Sequence, residues 1–245
     1  MLSKNEVKYI QSLCHKRQRN ADQVFVAEGP KLVQELLLAK VKIVNIYGLK
    51  EWIVTQQSHS FAVTEITAIE LEKISQLQTP NQVILIARQQ LSANEPQTTN
   101  QCILALDGIQ DPGNMGTILR IADWFGIKQV VCSLDCVDVY NSKVVQSTMG
   151  SITRVACWYK NLHEWLAGAE VPVYGALLNG NNVYNVEKIK EGILVIGNEA
   201  KGIRSDILPF ITHPVTIPKN GGAESLNAAV ATGIILSHLV GKNCQ

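Results

Sequence analysis

The chain has 245 residues, 46% of them hydrophobic and 18% charged, with a formal net charge of +1. These proportions exclude a disordered, collagenous or coiled-coil chain, and no apolar run approaches the roughly 18 residues of a membrane span. At about 100–200 residues per domain, the length allows one large domain or two small ones.

The first element expected is a helix over residues 3–18. It carries Lys4, Lys8, Lys16 and Arg17, with Arg19 just beyond, against the single acid Glu6. A basic segment on a near-neutral body fits either an RNA-contacting surface or a solvated helix face. Early charges and the lack of an apolar core argue against a secretory signal. A short apolar strand is expected at 24–27. Gly29-Pro30 then opens a helix through residue 40, with proline where a missing N–H costs nothing. Strands at 42–47, 61–64 and 83–87 follow, with a helix at 69–77 between the last two. The alternation implies a small layered α/β domain over residues 1–92.

The stretch LSANEPQTTNQ is polar, holds Pro96 and has no hydrophobic period. It reads as a linker, placed at residues 93–101. The second domain, 102–245, has strand candidates at 102–106, 129–132, 155–158, 173–177, 193–196 and 214–217. Helices are expected at 115–125, 142–150, 162–167 and 226–240. The strands are continuously apolar, as in a parallel sheet covered on both faces. Ligands of such sheets bind beyond the carboxyl ends of the strands.

The six cysteines, Cys14, Cys102, Cys132, Cys136, Cys157 and Cys244, show no metal-ligand or disulfide pattern. No metal is expected, and the usage fits a reducing cytoplasm. His163, His213 and His238 lack partners at relay spacing and read as packing or surface residues. Trp124, Trp158 and Trp165 read as core or interface.

Three polar, glycine-rich segments follow strands of the second domain. In DPGNMGTILR, Asn114 stands at or near a helix N-cap and Arg120 lies six residues on. In VIGNEAKGIR, a buried strand ends at Gly197-Asn198-Glu199. Ile203-Arg204 stands where a triphosphate loop needs Lys and Ser/Thr, and the dinucleotide glycine pattern is absent, so neither cofactor is expected. In IPKNGGAESLN, a glycine loop leads to Ser225-Leu226-Asn227 and a long apolar helix.

In this order and spacing, the segments resemble the three signature motifs of the SpoU (TrmH-type) branch of the SPOUT methyltransferases. The first domain is similar to the L30e-like substrate-binding module of that family. The resemblance implies an S-adenosylmethionine-dependent ribose 2′-O-methyltransferase acting on RNA, ribosomal before transfer RNA. A catalytically silent RNA-binding factor of the same fold is the alternative. It further implies a trefoil knot in the parallel-sheet domain and a homodimer through that domain with a shared active site. The cofactor would sit against Leu177, Ile196, Gly197, Ile217, Pro218 and Leu226. Asn114, Arg120, Glu199, Ser225 and Asn227 would form the catalytic group. A guanidinium stays protonated in almost any site, so Arg120 is assigned to stabilise developing alkoxide charge and not to act as base. Lys16, Arg17 and Arg19 would contact RNA. The chain departs from the family at Ile121, often threonine, and at Lys219, commonly methionine.

Overall fold

The computed structural model describes residues 1–56, 61–90 and 94–240. In chain order the elements are α1 (Lys4–Ser12), α2 (Lys16–Asp22), β1 (Val24–Glu28), α3 (Pro30–Leu38), β2 (Ile43–Gly48), α4 (Lys50–Thr55), β3 (Thr64–Glu65), α5 (Ala68–Ile74), β4 (Val83–Arg88), β5 (Cys102–Leu106), α6 (Pro112–Trp124), β6 (Gln129–Ser133), α7 (Ser142–Thr148), β7 (Ala156–Lys160), α8 (Leu162–Ala167), β8 (Val173–Asn182), β9 (Gly192–Ile196), β10 (His213–Thr216) and α9 (Ala228–Leu239). They form two compact units. One holds the described residues of 1–90 together with 138–153, the other those of 91–137 and 154–240. Residues 138–153, read from sequence as part of the second domain, thus group with the first.

The first unit is a mixed four-stranded sheet in the order β1-β4-β2-β3, antiparallel except for the β2–β3 pair. Capping boxes start two of its helices, Ser3 with Glu6 on α1 and Thr67 with Glu70 on α5. The basic segment is two helices where one was expected. After Ser12 the N–H groups of Leu13, Cys14 and His15 take carbonyls three residues back, which tightens the chain and ends α1. Arg19 fixes that turn. Its guanidinium donates to the carbonyls of Leu13 and Cys14 at 3.0 and 2.8 Å and to Asp138 Oδ2 at 2.5 Å. Arg19 is only 2% exposed, so its expected role in RNA contact is corrected: it is a structural cation. Lys16 and Arg17 are exposed. Tyr140 packs on Phe25 with ring centroids 5.1 Å apart, which adds to the hold of 138–153 on β1. The strand expected at 61–64 is confined to β3.

The second unit is a six-stranded, all-parallel sheet in the order β10-β8-β9-β5-β6-β7. Its central strand β9, GILVI, is buried throughout, as its unbroken apolar run requires. Strand β8 runs past the expected 177 to Asn182. It gains length because β10 pairs it in two registers, His213 with Tyr174 and Thr216 with Asn182. At Gly180 a β-carbon would lie 2.8 Å from the Val215 carbonyl carbon, so only glycine admits β10 there.

Candidate active site

Parallel strands bring their carboxyl ends to one edge of the sheet, and a cleft of ≈ 770 Å³ opens there. Leu177 of β8, Ile196 and Gly197 at the end of β9, Ile217 and Pro218 after β10, and Leu226 before α9 all line it, with Glu199 and Ser225. The six residues expected at the cofactor are therefore on its wall. Ala228, Ala231 and Ile235 add one face of α9 to the wall. Sequence reading passed over them, although their i, i+3, i+7 spacing on an apolar helix is the signal that finds such a face.

The loop after β9 is tightly wound. Asn198 and Gly202 exchange backbone hydrogen bonds of 3.0 and 2.9 Å, and Gly202 has φ +68°. A β-carbon on Gly197 would lie 2.2 Å from the Gly202 carbonyl carbon and 2.3 Å from Ile203 N. The glycine is needed because backbone crosses backbone at that point. Asn198 Oδ1 accepts from the N–H groups of Ala200 and Lys201, and its Nδ2 donates to Gly108 O at 2.7 Å.

Three expected catalytic residues meet through side chains. Asn114 Nδ2 donates to Glu199 Oε1 at 2.6 Å, and Asn227 Nδ2 donates to Asn114 Oδ1 at 2.8 Å. Asn227 Oδ1 caps α9 by accepting from Ala229 and Val230. Asn114 is not the cap of α6. Asp111 takes that place and accepts the Asn114 N–H at 2.7 Å, leaving the Asn114 amide free to face Glu199.

Arg120 and Ser225 are not drawn into this chain. Both are exposed, and neither side chain has a hydrogen bond or ion pair among the described residues. Arg120 shares a helix face with Thr117, Ile121 and Trp124, and Trp124 is 85% exposed. Helix α6 packs on α9, whose Val230 is also half exposed.

At the ends of β5 and β6 lies a polar cluster that sequence reading missed. Asp107, buried at the end of β5, accepts the Arg204 N–H at 2.8 Å and lies 2.7 Å from Arg204 Nε. Burial pushes its carboxyl above the usual range, against the pull of the Arg204 donors. Ser133 Oγ donates to Asp135 Oδ1 at 2.6 Å, which holds that carboxyl low, and accepts the Gly108 N–H at 2.8 Å. The Cys136 thiol is lowered to about 7 by the Cys132 thiol, Ser133 and the Ile109 N–H, against the effect of burial. No group of three or more potential metal ligands occurs among the described residues. His163 packs on Phe210, His213 on Tyr174 and His238 on Tyr184.

Residues 101–237 match the SpoU rRNA Methylase family, and residues 4–85 match the MRM3-like substrate binding domain. The 23S rRNA (guanosine(2553)-2′-O)-methyltransferase RlmP of Bacillus subtilis is 30% identical over 98% of both chains. A solved TrmH-family structure from Porphyromonas gingivalis superposes with a TM-score of 0.85 at 37% identity, covering 98% of each chain. An AdoMet-bound rRNA methyltransferase from Sinorhizobium meliloti does so with a TM-score of 0.83 at 29% identity, covering 98% of this chain and 96% of that one. Motif order, fold and these likenesses agree, and the chain belongs to the SpoU rRNA methylase family.

Proposed function

We propose that this chain transfers a methyl group from S-adenosylmethionine to a ribose 2′-hydroxyl of ribosomal RNA. The observation that carries the reading is the Glu199–Asn114–Asn227 chain of hydrogen bonds, with Glu199 on the wall of the cleft. The cleft suits the cofactor: its volume of ≈ 770 Å³ lies in the range of small-molecule sites, and its strand-end residues are largely apolar. Backbone N–H and C=O groups left free beyond the strands can read a base edge, so no charged side chain is needed for the adenine.

The cofactor supplies a methyl group activated on a sulfonium sulfur. The rest is positioning and charge management by this chain. Glu199 orients the Asn114 amide, and Asn227 locks it from the other side. Ser225, exposed on the cleft, offers a hydroxyl to the ribose. As the 2′-hydroxyl proton passes to solvent, the Arg120 guanidinium donates to the 2′-oxygen that becomes negative and to the neighbouring phosphate.

The reading includes a homodimer through the second unit. Exposed Trp124 and Val230 on the packed α6 and α9 support it, because a second copy would bury them. Arg120, on the same face as Trp124 and away from the Asn114 chain, then completes the site of the second copy. The trefoil knot, built from residues 173–240, and a cytoplasmic location belong to the same reading. No helix among the described residues is long and apolar enough to cross a membrane. Lys16 and Arg17 are the RNA-facing cations of the first unit, without Arg19.

The test is methyl transfer from radiolabelled S-adenosylmethionine to unmodified ribosomal and transfer RNA, side by side. Label in ribosomal RNA at one alkali-resistant linkage is expected, because a 2′-O-methyl blocks cleavage there. Label in transfer RNA alone moves the substrate. Alkali-sensitive label overturns the ribose chemistry. No label in either RNA, with the cofactor bound, favours the silent binding factor.

A further inference from the structure

We propose that the buried Asp107–Arg204 pair is a positioning device that sets Glu199 against Asn114. The inference rests on the methyltransferase reading for its meaning, but its geometry stands in the chain alone.

The loop 197–203 leaves the sheet at Ile196 and is caught again at Arg204. Asp107 holds the catch. Oδ2 accepts the Arg204 backbone N–H at 2.8 Å, and Oδ1, buried without a hydrogen-bond partner, forms an ion pair with its Nε at 2.7 Å. Backbone and side chain of one residue are thus clamped by one group. Asp107 is itself fixed, because its N–H continues the β5–β9 ladder to Ile196 O at 2.9 Å. The two ends of the loop are therefore tied to the same point of the sheet. Its middle is tied one residue further along, where Asn198 Nδ2 donates to Gly108 O.

Glu199 follows Asn198 directly, and Asn114 sits on the helix that the same β5 tail leads into. Asp107 and Gly108 hold the glutamate's loop, and Asp111 starts the asparagine's helix. Both halves of the 2.6 Å contact are thereby measured from one short stretch of backbone. A fully buried carboxylate is costly unless paired, and here the partner, with its side chain 43% exposed, also reaches to 3.7 Å from Asp135. Stability alone would be served as well by an apolar pair. A carboxylate that takes the backbone N–H and pairs with the guanidinium of one residue holds the loop by direction and charge, which an apolar pair does not.

The test has two readouts. The first uses the chain without cofactor or RNA, labelled with ¹⁵N-asparagine. The Asn114 side-chain amide resonance reports its bond to Glu199, and E199A marks the position of the broken bond. In R204M the resonance should move most of the way to that position, with R204K between the two. An unmoved resonance in R204M, or in R204K should R204M fail to fold, overturns the proposal.

The second readout is kcat at saturating cofactor. R204M should lose on the order of 100-fold, the scale of a small misplacement at a reacting centre. The double variant R204M/E199A should fall no lower than E199A within about twofold, since Arg204 acts through Glu199. Losses that add in full overturn the proposal. Methyl transfer by the unaltered chain separates the two levels. If it transfers nothing while the Asn114 resonance still follows Arg204, the functional reading fails and the clamp stands. If it transfers and neither readout responds, the clamp fails alone.

Discussion

Asn114 Nδ2 donates to Glu199 Oε1 at 2.6 Å across 85 residues of sequence. A carboxylate only accepts, so it fixes which end of the asparagine amide faces it. The other end must then accept, and Asn227 Nδ2 donates to it. The three residues form a directional chain in which each partner dictates the next.

That directionality predicts the outcome of an exchange. N114D sets two carboxylates face to face, and methyl transfer should fall on the order of 100-fold in kcat/KM, about 2.7 kcal/mol. N114D/E199Q restores one donor and one acceptor with reversed direction. It should recover at least about tenfold over N114D. Single-turnover transfer to ribosomal RNA measures both, and a double variant no better than N114D would show that the pair does not act as a unit.

Gly197 predicts a cofactor defect of a different origin. Its missing β-carbon would stand 2.2 Å from the carbonyl carbon of Gly202, an approach that backbone cannot yield without moving the loop. Overpacking of this kind costs about 1–3 kcal/mol. G197A should therefore weaken S-adenosylmethionine by about tenfold or more, measured by calorimetry, while the fluorescence of the first unit's Trp52 on unfolding stays as in the parent chain. Unchanged affinity would place the cofactor away from this loop.

What the sequence revealed, and what it hid, follows from how each residue acts. That a ligand would gather beyond the carboxyl ends of the strands was legible because parallel strands must converge there, while Gly197, Ile217 and Leu226 were named for the cofactor only through the resemblance. Asn114, Glu199 and Asn227 were legible as a set only through their resemblance to the family. Nothing in one dimension shows that an amide on α6 reaches a carboxylate after β9. Asp107 and Arg204 were passed over because a strand-end aspartate and a loop arginine are ordinary, and 97 residues of sequence separate them. Arg19 was misassigned for the related reason that a basic run looks uniform along the chain. Burial divides it: Arg17 is exposed, while Arg19, two positions on, turns inward to Asp138.

The division of the basic run is itself testable. R19M strands Asp138 and two backbone carbonyls, and removing one partner of a buried pair costs about 3–5 kcal/mol. Denaturant unfolding should show that loss. R17E should leave unfolding within about 0.5 kcal/mol of the parent, and K16E/R17E extends the charge reversal to the neighbouring exposed cation. The double variant should weaken RNA binding and reduce the slope of log affinity against log salt by about 0.7–0.9 for each phosphate that it no longer neutralises. An unaltered salt slope would make Lys16 and Arg17 plain solvated surface.

Glu28 gives a pH dependence with a definite sign. It lies buried in β1, accepting from Ser75 Oγ and the Gln76 N–H at 2.6 Å each. Burial outweighs these donors and raises its carboxyl above the ordinary 4.5. A carboxyl raised by folding favours the folded state below 4.5, and that advantage fades as pH climbs through the raised value. The stability of the parent relative to E28Q should therefore fall from pH 4 towards neutrality. A relative stability that rises over that range would mean that the hydrogen bonds outweigh desolvation.

The sharing of the site between copies can be separated from mere dimerisation. W124E removes an apolar side chain that is 85% exposed in the single chain and places a charge on the face of α6 that carries Arg120. Light scattering should report a shift from dimer to monomer, with loss of transfer. Loss of transfer alone does not say whose Arg120 serves which cleft. R120A and E199A should each retain only a small residual rate as homodimers. In a mixed dimer, an arginine acting within its own subunit leaves both sites broken. An arginine acting across the interface leaves one site with both groups intact. Equal mixing after partial denaturation and refolding should then restore about one quarter of parental activity, since half the dimers are mixed and each has one working site. No recovery, with mixed dimers shown to form, would put Arg120 in its own subunit's site.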